Sequence, residues 1–307
     1  MQKINKLKNI VNIIFFSLIV YFFYNLIDFD LLKETVFEFK ISYLFVIFSI
    51  FLLRPLMKTY RWFIIVRHYS EIKFIDFFRN IVLGLSFDIF TSSPIALEIT
   101  KVIKIKKEIG LKKSVTLIFF DRIYTLIFRI ISLEIMVVLY SFFYIEQIFS
   151  EVLIIFLITV LFVFFLNSNL EKFLSLKFFK KFIKADVSKI LKIYKTTKVN
   201  FIELFFINFI ILLANILLYY LIFKSLNNDT NFFDLSIFIS IIDFLTQFQF
   251  IIFGFKEFTT VYFSNFININ NEIAFAGAII HKVLDSFNII FLYGIFNLFK
   301  FKTKNKN

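Results

Sequence analysis

Residues 114–144 read SVTLIFFDRIYTLIFRIISLEIMVVLYSFFY, an apolar run interrupted by Asp121, Arg122, Arg129 and Glu134. As an α-helix rising 1.5 Å per residue it spans about 45 Å, more than the roughly 30 Å hydrocarbon core of a bilayer. That length and apolarity predict a membrane protein, and the remainder of the 307-residue chain agrees. It is 60% apolar and 21% aromatic, where soluble domains average about 45–50% apolar. Residues 10–27, 41–57, 74–90, 152–166, 201–223, 235–253 and 274–299 are also apolar, giving eight hydrophobic segments in all. Lys3, Lys6 and Lys8 precede the first, as in a secretory signal, but no small-x-small cleavage site follows, so it reads as a retained helix. The longest polar stretch, 167–200, is shorter than the roughly 50 residues of an independent domain. The chain therefore reads as one integral-membrane domain over residues 1–307.

A formal charge of +13 would suit nucleic acid, but loops that obey the positive-inside rule account for it without that partner. Most of the Lys and Arg fall at the N-terminus, between Lys58 and Lys73, between Lys101 and Lys113, between Lys172 and Lys198, and after Lys300. Acids gather instead at Asp28 to Glu38, Glu146 and Glu151, and Asp229 and Asp234. Placing every basic loop, including 167–200, in the cytoplasm makes two segments enter and leave on one side. These are 74–100, entering from the cytoplasm, and 235–271, entering from outside. The expected fold is an all-α polytopic bundle of six spanning helices plus two opposed re-entrant hairpins, with both termini cytoplasmic, in the inner membrane. The alternative is eight plain transmembrane helices. Backbone that turns at membrane depth is tolerated where it is buried in protein or lines a polar cavity, and opposed broken segments are common around transporter sites.

Charges within these segments need a partner or a water-filled cavity. Arg122, Thr125, Arg129 and Ser132 recur at three- and four-residue spacing and share a helical face, and two guanidinium groups on one stripe suit a phosphate. Structural salt bridges to Glu134 or Asp121 would explain the same arginines. Gly277, His281, Asp285 and Asn288 share a face of the last segment, with Lys282 nearby, as a binding surface or a structural polar seam. Asp243, Thr246 and Gln247 lie on one side of the seventh segment, before Gly254, Lys256 and Glu257 at the hairpin turn. Asp88, Ser92, Ser93, Pro94, Glu98 and Lys101 fill the first hairpin, and Pro94 breaks its helix.

No catalytic residue, cofactor or metal is expected. Cys is absent, His68 and His281 are distant in sequence, and no Walker loop, G-x-S-x-G elbow or His-Glu zinc motif occurs. Asp28 and Asp30 form a D-x-D pair in the first external loop, where membrane glycosyltransferases that use polyprenyl-phosphate sugars carry an acidic base. The signal is weak, and two solvated acids at a helix end are the preferred reading. The 52 Phe read as compositional drift and carry no function.

Several short blocks, taken in order, resemble the transmembrane region of lysylphosphatidylglycerol synthases and its stand-alone, flippase-like relatives. They are Tyr60-Arg61-Trp62, the proline-to-lysine hairpin from Pro94 to Lys101, Phe120-Asp121-Arg122, Gly254-Phe255-Lys256-Glu257, and the small residues Ala274, Ala276, Gly277 and Ala278. The resemblance covers roughly residues 10–300. In this chain Leu97 replaces the usual glycine before Glu98, the second hairpin lacks a proline and double glycine, and Asp121 stands where glutamate is common. No aminoacyl-transfer domain is present, so the resemblance implies the lipid-moving part of such proteins. It implies passage of an anionic lipid, a phospholipid or a polyprenyl-phosphate-linked sugar, between leaflets during envelope lipid or polysaccharide synthesis. Arg122 and Arg129 would hold the phosphate, with Lys101 and Arg61 at the cytoplasmic mouth and Lys256 or Lys282 at the outer one. Glu98, Asp121, Glu257 and Asp285 would balance charge or couple ions, and Pro94 and Gly254 would set hairpin geometry. The rival readings are a glycosyltransferase with a lipid-linked donor and a non-catalytic partner of envelope-biosynthesis enzymes.

Overall fold

A computed structural model describes residues 17, 21–91, 95–174, 200–246 and 255–304. Among them the chain is helical without a strand: α1 Phe29–Phe37, α2 Leu44–Val66, α3 Phe74–Thr91, α4 Ile95–Ile109, α5 Leu111–Tyr144, α6 Glu146–Leu174, α7 Phe201–Ser225, α8 Phe232–Leu245, α9 Phe255–Ser264 and α10 Asn271–Lys304. Four helices are long and apolar enough to cross a membrane: Ile41–Val66, Leu111–Tyr144, Phe201–Ser225 and Asn271–Phe296. The molecule is a polytopic helical membrane bundle. The two other expected spans are the first, which lies mostly outside the described residues, and 152–166, which falls within α6.

The lipid-facing surface is legible on single helices. On α7 the residues Ile202, Phe206, Ile210, Leu213 and Leu217 are exposed at intervals of three and four. The opposite side of α7 buries Leu204, Ile207, Ile211, Leu218 and Ile222. With apolar side chains on both faces, the helix needs lipid on one side and protein on the other. Two apolar cores result. One centres on Trp62, Phe77, Leu117, Phe128 and Ile207, where α2, α3, α5 and α7 meet. The other centres on Phe51, Tyr219, Phe238, Ile242, Val261 and Ala274, where α2, α7, α8, α9 and α10 meet.

Breaks in the helices are compensated locally. Pro55 stands inside α2 and has no N–H to give the Phe51 carbonyl, which would be orphaned away from water. Asn288, fully buried on α10, donates to that carbonyl through Nδ2 at 2.9 Å. A polar residue of the last helix thus repairs the second.

Within the segment expected to be a re-entrant hairpin, 74–100, α3 packs against α4. Asn80, Gly84 and Asp88, four residues apart on α3, all meet α4. Asn80 donates to the Thr100 carbonyl at 2.7 Å, and Asp88 accepts from the Leu97 N–H at 3.0 Å, capping the start of α4. Between them, a Cβ on Gly84 would lie 2.2 Å from Thr100 Oγ1 and 3.0 Å from Leu97 Cα. The room that a glycine before Glu98 would give is here supplied from the facing helix. Pro94 lies outside the described residues.

One expectation about loops is corrected. Lys101 to Lys113 is not a basic loop: α4 runs to Ile109 and α5 begins at Leu111. Gly110, at φ +79°, separates them with a backbone conformation that other residues rarely adopt. The 167–200 stretch begins as helix, because α6 continues to Leu174; residues 175–199 lie outside the described set.

Candidate functional site

The helices carry their ionisable residues inward, and these form a band through the interior with two unequal ends. At the first end Asp121 of α5 is 1% exposed. It lies 3.1 Å from Arg61 Nε of α2 and 3.0 Å from Lys101 Nζ of α4. Lys101, likewise buried, also reaches Glu98 at 3.2 Å, and Glu98 accepts from Arg122 at 2.6 Å. Arg61 further donates to Asn208 Oδ1 on α7 at 3.0 Å. The Lys101 ammonium also lies 5.1 Å from the centre of the buried Trp62 ring. Three cations and two carboxylates from three helices are thereby locked together, which is how charge survives in a low-dielectric interior.

Lys101, expected at the cytoplasmic mouth, is buried, because α4 turns Thr100, Lys101 and Ile105 inward while Lys106 and Lys107 face out. Arg61 is interior for the same reason on α2.

Arg122 and Arg129 do share the inward side of α5 with the buried Thr125 and Ser132. Their ion pairs are with neither Glu134 nor Asp121. Arg122 is held by Glu98 of the first hairpin, and Arg129 by Asp243 of α8 at 2.7 Å. Arg129 also donates to the Asp243 backbone carbonyl, and Asn215 of α7 donates to Asp243 Oδ1 at 3.3 Å. Each arginine of α5 is thus clasped by a carboxylate from one of the two segments expected to be hairpins.

The second end is sparser. Arg54 of α2 bridges Asp285 of α10 at 3.1 Å and lies 3.5 Å from His281 Nε2. Tyr219 of α7 stacks on the His281 ring at 4.7 Å, and the Lys256 ammonium of α9 sits 5.1 Å from the centre of the Tyr219 ring. His281 and Asn288 are buried, as a shared inward face requires, while Lys282 points outward and is exposed. Glu257 is half-buried beside Lys256. Gly254 and Gln247 lie outside the described residues.

Sequence reading passed over Arg54, Lys58 and the pairing of Asp243. Arg54 sat unremarked in an otherwise apolar segment, and Lys58 was counted as a loop charge. Their spacing was the available signal, since Arg54, Lys58 and Arg61 fall at intervals of four and three on one face of α2. The D-x-D pair has a local role: Asp28 caps α1 by accepting from the Asp30 and Leu31 N–H groups, at 3.0 and 3.1 Å.

The sequence model of the lysylphosphatidylglycerol synthase TM region matches residues 9–292. The chain belongs to that family. As an LPG synthase TM-region protein, it is a membrane domain of a kind consistent with lipid or envelope biosynthesis. No curated protein and no solved structure matches it. Within this family member, the Arg61, Glu98–Lys101 and Asp121–Arg122 blocks that carried the resemblance are one physical network. They are far apart in sequence and meet at Asp121.

Proposed function

We propose that the protein passes an anionic lipid, a phospholipid or a polyprenyl-phosphate-linked sugar, between the leaflets of the inner membrane, with both termini cytoplasmic. The observation that carries this reading is the pair of α5 arginines, each held by a carboxylate from a different segment. A phosphate can take the place of such a carboxylate on guanidinium, because both accept the same forked donors. Headgroup transfer from Arg122 to Arg129 would exchange Glu98, then Asp243, for phosphate. Arg61, Lys101 and Asp121 set the cytoplasmic end, while Lys256, Lys282, Glu257 and Asp285 set the outer end. Pro94 and Gly254 shape the turns of two opposed re-entrant hairpins. Without a nucleotide-binding motif the movement is downhill or ion-coupled, and envelope-biosynthesis enzymes are the natural partners.

The test is leaflet exchange in reconstituted vesicles by wild type and by the Arg122→Gln/Arg129→Gln variant. Loss of movement with an unchanged melting profile supports the reading. Movement at the wild-type rate by a folded variant sinks the arginine track. Loss of protein together with movement would favour a scaffold role for these residues.

A further inference from the structure

Helix α7, apolar enough to cross the membrane, buries two amide side chains, Asn208 and Asn215, about two turns apart on its inward side. Packing an apolar helix requires no amide, and a buried amide is costly unless its donors and acceptor are met. Asn208 is met at both ends: its Oδ1 accepts from Arg61 at 3.0 Å and its Nδ2 donates to the Leu204 carbonyl at 2.8 Å. Asn215 is met at one end. Its Nδ2 donates to Asp243 Oδ1 at 3.3 Å, and an acid acceptor there fixes which end of the amide is the nitrogen. Its Oδ1 is shielded from solvent and has no donor among the described residues.

Direct contacts tie Asn215 to the α5 arginines. Asp243 holds Arg129 through Oδ2 at 2.7 Å and takes Asn215 Nδ2 on its other oxygen, so a guanidinium and an amide grip one carboxylate together. A phosphate in the place of that carboxylate would meet the same two donor groups. Asn215 Oδ1 belongs to the same planar amide, so it faces the group bonded next to the phosphate. An acceptor in that position takes an O–H or an N–H. An alkylammonium would stand beside the Arg129 guanidinium, and one turn further along α7 the Tyr219 ring already carries the Lys256 ammonium at 5.1 Å. A hydroxyl brings a donor without a charge for these cations to repel.

We infer that Asn215 is a specificity-determining residue whose amide reads a hydroxyl next to the phosphate, so that the lipid received here carries a hydroxylated headgroup, a polyol or a sugar. This rests on the reading that an anionic lipid enters the interior and exchanges with Asp243 on Arg129. It adds what the arginines cannot supply, since a guanidinium recognises the phosphate whatever is esterified to it. A site that hydrogen-bonds a ligand hydroxyl discriminates against the analogue without one, because the buried acceptor is then left unpaired.

The test is calorimetric binding of two short lipids to the purified full-length protein in detergent. Dihexanoyl phosphatidylglycerol and dihexanoyl phosphatidylmethanol carry the same single negative charge, and the second has no headgroup hydroxyl. Wild type should bind the glycerol lipid about threefold to tenfold more tightly, the worth of one hydrogen bond. Asn215→Leu should bring the ratio of the two affinities to about one, and Asn215→Ala gives the same reading if leucine does not fit. The ratio is taken within one protein sample, so a general loss of stability does not move it. A short prenyl-phosphate mannose in a third cell separates the sources, the tighter of mannose and glycerol ligands naming the headgroup. A folded Asn215 variant that keeps the wild-type ratio overturns the inference, as does wild type that binds the two lipids equally or binds neither. Leaflet movement in vesicles reads the proposed function separately. The expected ratio without movement sinks translocation and leaves the subsite standing; movement of both lipids at equal rates, with equal affinities, keeps translocation and sinks the subsite.

Discussion

The Asp121 end and the Asp285 end of the interior band solve the same problem with different completeness. Around Asp121, each carboxylate has two cations, and Arg61 adds an amide partner on α7. Around Asp285, one arginine bridge and an aromatic stack hold the geometry, while Lys58 and Lys256 have no acid within ion-pair distance among the described residues. A saturated network resists exchange, since removing any member strands another charge in a medium that cannot solvate it. An unsaturated one leaves charge available for a ligand. The first end therefore reads as the tighter clamp on the fold, and the second as the looser one.

That contrast can be broken most forcefully at Asp121. Asp121→Asn leaves Arg61 and Lys101 facing a neutral group, with an expected destabilisation of about 3–5 kcal/mol. Thermal melting of the purified variant, and its abundance in membranes, would show the loss; a variant that melts like wild type would mean that the dense network is not structural. A smaller effect is expected for Asn288→Ala, which orphans the Phe51 carbonyl left open by Pro55. Its cost is about 1–3 kcal/mol, read as a lower melting temperature. Gly84→Ala sharpens the account of the first hairpin. The added methyl meets the α4 backbone at 3.0 Å, and overpacking of this kind costs about 1–3 kcal/mol. The smallest change should have the opposite sign. Lys58→Gln removes an uncompensated charge, so it should raise stability by about 1 kcal/mol. A destabilised Lys58→Gln protein would show that a partner already neutralises this lysine.

Much of this architecture was written in local patterns. Long apolar runs announce α2, α5, α7 and α10, because crossing a bilayer demands length and apolarity that few other contexts permit. The polar residues around Pro94 fall between α3 and α4. What stayed hidden was pairing across distance. The sequence separation between Arg54 and Asp285 is 231 residues, and between Arg129 and Asp243 it is 114. Neither carboxylate is marked by spacing as the partner of its arginine. The burial of Lys101 is hidden in sequence for a related reason. A run of lysines resembles a solvated loop until the helical period is applied, after which one of them points inward with Ile105 and the next ones point out. The D-x-D pair is the reverse case, where the reading of two acids at a helix end holds: Asp28 satisfies two backbone N–H groups at a helix start.

The central claim is that this interior accepts anionic lipid and carries it across. Its most direct measurement is the rate at which wild-type protein moves fluorescent phosphatidylglycerol, compared with phosphatidylcholine, between the leaflets of the same vesicles. The charged band predicts faster movement of the anionic lipid, slowed as salt screens the headgroup. Equal rates for both lipids, or no movement by folded protein, would contradict it.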